Sequence, residues 1–176
     1  MANRSSFLTR IARLRRPRLL SLDGGATAVE VALAGSLFLL IVCVIIELDL
    51  ILFTQSVLDN ATRDASRLIR TGQVQLSGGV SVFKSRLCGD IGSIIPCTGL
   101  EWNVQSASKF SSLNPVVQTN SAGDMTNTQF QPGGPGSDVL VQVGYKRASF
   151  IPWVIRYFGT HQLLISTVAF QNDQYQ

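Results

Sequence analysis

One histidine and three cysteines are all that the 176 residues offer for metal ligation or thiol chemistry, apart from carboxylates. His161 has no second histidine or cysteine near it in the chain with which to form a zinc set or a nucleophile–base pair. The sequence contains no Gly-x-Ser-x-Gly elbow, no Walker loop and no His/Cys group at ligand spacing. GGPG at Gly133 to Gly136 lacks the following Lys and the helical pattern of a phosphate loop, so it reads as a turn. These absences argue against a catalytic residue set and against a resident metal or cofactor. Lysine is also scarce, and Arg and Lys are not spread over a candidate folded face or interleaved with aromatics, which argues against nucleic acid as a partner.

The net charge of +4 is local. Arg4, Arg10, Arg13, Arg15, Arg16 and Arg18 precede a long apolar run and are opposed there only by Asp23, while the chain beyond Phe53 is close to neutral. Basic residues placed directly before an apolar helix follow the positive-inside rule, so the leader is expected to be cytoplasmic.

Val31 to Ile46 (VALAGSLFLLIVCVII) carries no charge, and the apolar character extends from Ala26 to Phe53 if Glu30, Glu47 and Asp49 are tolerated. At about 1.5 Å per residue the longer span reaches roughly 42 Å, more than the roughly 30 Å hydrocarbon core requires. A cleaved secretory signal would have a shorter apolar region followed by a small-x-small site, and none follows Ile46. Beyond the run, Val57, Leu58, Ala61, Ala65, Leu68 and Ile69 recur at helical intervals, so the helix is predicted to continue to a stop at Gly72.

After Gly72 the pattern breaks into short segments. Val80 to Cys88 reads as a short helix with Val82, Phe83 and Leu87 on one side. Glu101 to Ala107 alternates Trp102 and Val104 with polar residues expected to point outward, Asp138 to Lys146 alternates Val139, Val141, Val143 and Tyr145, and Leu163 to Phe170 reads as a further strand. Residues 111–137, rich in Ser, Asn, Gln, Gly and Pro, have no period and are predicted to form a long loop. SFIPWVIRYFG, before the last strand, is either a short packed helix or a connection lying over the sheet.

Cys88 and Cys97 lie in polar sequence and would close a loop of about ten residues, worth roughly 2 to 3 kcal/mol in the chain-entropy account if bridged. An exported setting favours that disulfide. Cys43 is a residue of the apolar helix.

Ala28, Ala32 and Ser36 recur every four residues and form a small-residue face that would let another helix approach, although such a stripe also arises by chance. Glu47 and Asp49 either sit at the outer membrane interface or, for Glu47, contact a partner. Glu30 follows Thr27 by three, which makes a capping box that would start the helix. Its other reading begins at Gly25 and Ala26: a cut between them would make Glu30 the fifth residue of a new chain, within reach of a new α-amino group on a neighbouring subunit.

GGATAVEVALAGSLFLLIVCVIIELDLILFTQSVLDNATRDASRLIRTG resembles the opening of the TadE-like family, pilin-like proteins of the tight-adherence (Flp, type IVb) pilus apparatus. The resemblance is carried on by FKSRLCGDIGSIIPC, VLVQVGYKR, the Pro152 segment and ISTVAFQND. Val31 stands where pilins of this class often carry an aromatic residue.

The resemblance implies an α+β, pilin-like protein: a long N-terminal transmembrane helix followed by a small antiparallel sheet with short helices. Its parts would be a basic cytoplasmic leader (1–25), a transmembrane helix (26–53), its amphipathic continuation (54–71) and a periplasmic domain (72–176). It further implies a non-enzymatic minor pilin or pseudopilin of the bacterial inner membrane, processed after Gly25 by a prepilin peptidase. Its partners would be other pilin-like subunits and the assembly platform. The alternative is a membrane-anchored periplasmic sensor or adaptor whose long loop engages a ligand.

The charge asymmetry makes a direct prediction. Alkaline phosphatase fused after Gln176 should be active and a cytoplasmic reporter at the same point silent; the opposite pair of results would invert the topology.

Overall fold

The computed structural model describes residues 23–92, 94–149, 151, 155–156, 159 and 161–175. The arginine leader and most of the segment around Pro152 lie outside the described residues. The elements are α1 (Asp23–Arg70), α2 (Gln73–Ser77), α3 (Val80–Ile91), a 3-10 turn at Cys97–Gly99, β1 (Leu100–Ala107), a second at Phe110–Ser112, β2 (Asp138–Ala148) and β3 (His161–Gln171). The three strands form one antiparallel sheet in the order β1-β2-β3, so the fold is α+β, as the sequence predicts. Two compact units divide at Val42 and Cys43, within α1.

The first unit is apolar helix. Thr27, expected to cap its start, lies inside it, because α1 already contains Asp23, Gly24 and Gly25. Glycine costs about 1 kcal/mol relative to alanine in a helix, too little to end one that continues for many turns.

In the second unit α1 acquires the 3.6-residue period of a packed helix. Glu47, Thr54, Leu58, Ala61, Thr62, Ala65, Ser66 and Ile69 are buried and recur at three- and four-residue steps. The Thr54 and Thr62 hydroxyls donate to the carbonyls of Leu50 and Leu58, both at 2.7 Å, so neither is buried without a partner. Leu58, Ala61, Ala65 and Ile69 join Phe83, Leu87 and Ile91 of α3 and Val104, Val139, Val141 and Val143 of the sheet in one apolar cluster. In the strand register Trp102 lies opposite Val143 and Val104 opposite Val141, which puts the predicted apolar alternation on a single face.

The other face departs from expectation. Asn103, predicted to point outward, is buried, and its amide donates to Gln142 Oε1 at 3.0 Å. The reason is the long loop, which covers this face: Gln142 Nε2 donates to Pro115 O at 2.8 Å, and Lys146 Nζ meets Asp124 Oδ1 at 2.7 Å. Gly144 leaves the space that the Met125 side chain fills. Both faces of β2 are thus covered, so its even-numbered residues from Asp138 to Gly144 also leave solvent.

The loop's polar composition is what orders it. Asn114 Oδ1 accepts from Val116 N, Asn120 Oδ1 from Ala122 N and Asp124 N, and Asn127 Oδ1 from Gln118 N, each a side chain supplying a backbone partner that no strand provides. Hydrogen bonds from the Lys146 ammonium and from Asn120 hold the Asp124 carboxyl below its usual range. That tether therefore contributes above the ordinary carboxylate range and is lost as pH falls through the lowered value.

The predicted stop at Gly72 is observed. Its φ of 77° is left-handed, and a β-carbon there would collide with the Tyr175 ring, so both backbone and packing require glycine. The chain end closes over the helix terminus: Asp173 N donates to Arg70 O at 2.9 Å, capping a carbonyl the helix leaves open. Burial pushes the Tyr175 phenol up.

Cys88 and Cys97 are bridged, with Cα atoms 5.6 Å apart, which ties α3 to the entry of β1. Replacing both by serine should cost the full-length protein about 2 to 3 kcal/mol in denaturant unfolding in detergent. Alkylation without reductant should modify Cys43 alone; ready labelling of Cys88 and Cys97 in native protein would remove the bridge.

Candidate functional site

Among the described residues no group of three or more His, Cys, Asp or Glu side chains is placed to hold a metal ion. The chemistry that is present concentrates on α1. Its apolar part has a mean hydropathy of 2.8 over its best window, with none of that window buried, and it is long and apolar enough to cross a membrane. An exposed helix of this kind is consistent with a single-pass membrane anchor.

The residues singled out in this segment are all on the helix surface. Gly25 is exposed and has open space where a side chain would stand, and Ala26 is helical. Ala28, Glu30, Ala32 and Ser36 are exposed. The Ser36 hydroxyl donates to Leu33 O at 2.9 Å, so it needs no partner helix to satisfy it. At about 100° per residue, Glu30 lies roughly 160° around the helix from both Ala28 and Ala32. The small-residue stripe and the Glu30 carboxylate therefore look in nearly opposite directions, and a single neighbouring helix cannot engage both.

Glu47 differs from Glu30 in kind. It is 4% exposed, and its Oε1 accepts from Arg147 Nη1 at 2.6 Å and from the Ser149 hydroxyl at 3.3 Å. Arg147, at the end of β2, is itself buried. The carboxylate is therefore engaged within its own chain. Asp49, two residues on, is exposed, because about 200° of helix rotation turns it away from the sheet.

Sequence reasoning did not find Arg147. The two partners are 100 residues apart, and nothing local links them. A usable signal existed on the helix side alone: Glu47 lies seven residues before Thr54 and eleven before Leu58, in register with the buried stripe. Extending the period back from Leu58 would have turned Glu47 inward and Asp49 outward.

Residues 25–67 match the family described as TadE-like protein. The match covers about a quarter of the chain: the apolar part of α1 and most of the stripe beneath the sheet. The disulfide segment and the strands, where the resemblance was also expected, lie beyond it. Neither curated proteins nor solved structures give a match to this chain.

Removing one partner of a buried ion pair strands a charge and costs about 3 to 5 kcal/mol, whereas replacing both by apolar residues is often close to neutral. Arg147→Leu should therefore lower the unfolding midpoint of the full-length protein in detergent, and Glu47→Leu combined with Arg147→Leu should restore most of the loss. A single variant indistinguishable from wild type would show that solvent already screens the pair.

Proposed function

We propose that this chain is a non-enzymatic, membrane-anchored subunit that takes part in assembling a tight-adherence pilus, of the minor pilin or pseudopilin kind. The observation that carries the reading is the coincidence of the TadE-like match with one helix that is exposed and apolar at its start and packed beneath an antiparallel sheet at its end. The TadE-like family is generally non-catalytic. In this reading the arginine leader stays in the cytoplasm, the helix crosses the bacterial inner membrane, and the disulfide-bearing domain lies in the periplasm, where thiols are oxidised.

A prepilin peptidase would cut between Gly25 and Ala26, and Glu30 would then face the amine of a neighbouring subunit. The opposed directions of Glu30 and the Ala28, Ala32 and Ser36 stripe give each helix two distinct contact faces, as a subunit placed between two neighbours requires. Glu47 is held by Arg147 and so contributes to assembly by fixing the domain on its own helix. A ligand-binding adaptor receives less support, since the loop that would serve it is engaged in covering the sheet.

Deleting the chain should abolish surface pili, and wild type should restore them. Glu30→Ala and Glu30→Gln should reduce piliation and recovery of the assembly platform at matched membrane levels. Removing a carboxylate cannot raise the insertion cost, so the defect cannot come from poorer partitioning. Normal piliation in both variants would discard the Glu30 pairing, and an intact leader on the wild-type protein would remove the amine it needs.

A further inference from the structure

Val31 to Ile46, the uncharged part of α1, is about 24 Å long at 1.5 Å per residue, short of the roughly 30 Å hydrocarbon core. About one further helical turn must enter the apolar layer. On the N-terminal side that turn would bring in Glu30, whose carboxylate is exposed. On the C-terminal side it brings in Glu47, which the protein has already taken out of water and neutralised with Arg147 at 2.6 Å. A paired, buried carboxylate costs less at that depth than a bare one. The helix therefore sits with its far boundary beyond Glu47, at the level of the exposed Asp49, which reaches the headgroups.

Apolar exposure continues past that level. Leu48, Leu50, Leu52 and Phe53 are exposed by 54%, 39%, 68% and 54%. Beside them Ile94 is 51% exposed, and with Leu50, Phe53, Tyr145, Arg147 and Ala148 it lines an open groove of about 430 Å³. Other exposed large apolar side chains of the domain, among them Leu76, Phe110 and Val116, belong to different segments and do not line this groove. Contiguous apolar patches of this kind mark contact surfaces, whereas single exposed residues do not. Leu48, Leu50, Leu52 and Phe53 directly follow the apolar run in the sequence. Tyr145, with an apolar ring and a polar tip, is of the residue type that collects at membrane interfaces.

We infer that the end of the sheet domain around Leu50, Phe53, Ile94 and Tyr145 is seated in the interfacial layer of the membrane that α1 crosses, its ligand being the headgroup and upper acyl region of phospholipid. This rests on the single-pass reading above. The Glu47–Arg147 pair makes the seat possible, because it brings the end of β2 down to the bilayer boundary without leaving a charge unpaired. The domain then rests on the membrane surface, and its approach to a neighbouring subunit is restricted to motion in that plane.

The test uses the full-length protein in phosphatidylethanolamine and phosphatidylglycerol vesicles, with Cys43→Ala and the Cys88–Cys97 bridge intact. Single cysteines at Leu39, Phe53, Ile94 and Val116 carry an environment-sensitive fluorophore. Phe53 and Ile94 should be quenched several-fold more than Val116 by lipid bearing a headgroup nitroxide, and several-fold less by aqueous iodide. Leu39 should be quenched by a nitroxide deep in the acyl chain. If Leu39 responds to lipid while Ile94 behaves like Val116, the seat is overturned and the anchor stands. If Leu39 responds only to iodide, the anchor falls and the seat with it. Ile94 shielded from iodide yet untouched by nitroxide lipid would mean that protein, such as a second copy, covers the face, which also overturns the proposal.

Discussion

The ion pair between Glu47 and Arg147 is the constraint around which the rest of the second unit is arranged. A carboxylate placed directly after sixteen apolar residues needs a partner, and the nearest arginines along the chain are several helical turns away. Arg147 comes from the end of a strand that reaches Glu47 only because β2 runs antiparallel between its neighbours and packs its odd-numbered residues on α1. The Ser149 hydroxyl adds a second donor to the same oxygen. Both charges are out of water, so a slip of the sheet along the helix would leave each of them buried alone.

On either side of that point α1 carries two different residue patterns on one backbone. Its first unit is largely apolar, and none of its most apolar window is buried. In the second unit it is amphipathic, with Ala61, Ala65 and Ser66 among the residues buried on its inner face. The change from one regime to the other occurs over a few residues around Glu47. The TadE-like match runs through that change, to Arg67, and so follows the helix through both regimes.

The sheet is stabilised differently on its two faces. Toward α1 and α3 it is an ordinary apolar core, in which Phe83 meets Trp102 edge to face at 6.4 Å and Phe130 at 5.5 Å. Toward the long loop it is polar and hydrogen-bonded through Asn103, Gln142 and the loop's own amides. A loop rich in Asn and Gln can cover a sheet because its side chains satisfy the backbone groups that burial would otherwise leave open.

Local chemistry alone determined much of this protein. The apolar run, the stripe from Leu58 to Ile69, the glycine stop at Gly72, the alternation in β2 and the Cys88–Cys97 pairing were legible because each depends on period, turn geometry or short-range closure. Only the tertiary structure decided which polar residues turn inward. Asn103 has the strand position of an exposed residue and is buried because a distant loop covers it. Glu47 resembles an interfacial charge and is buried because a strand 100 residues later delivers Arg147. A polar side chain's burial depends on a partner, and a partner brought by non-local strand pairing leaves no period in the sequence around the residue it satisfies.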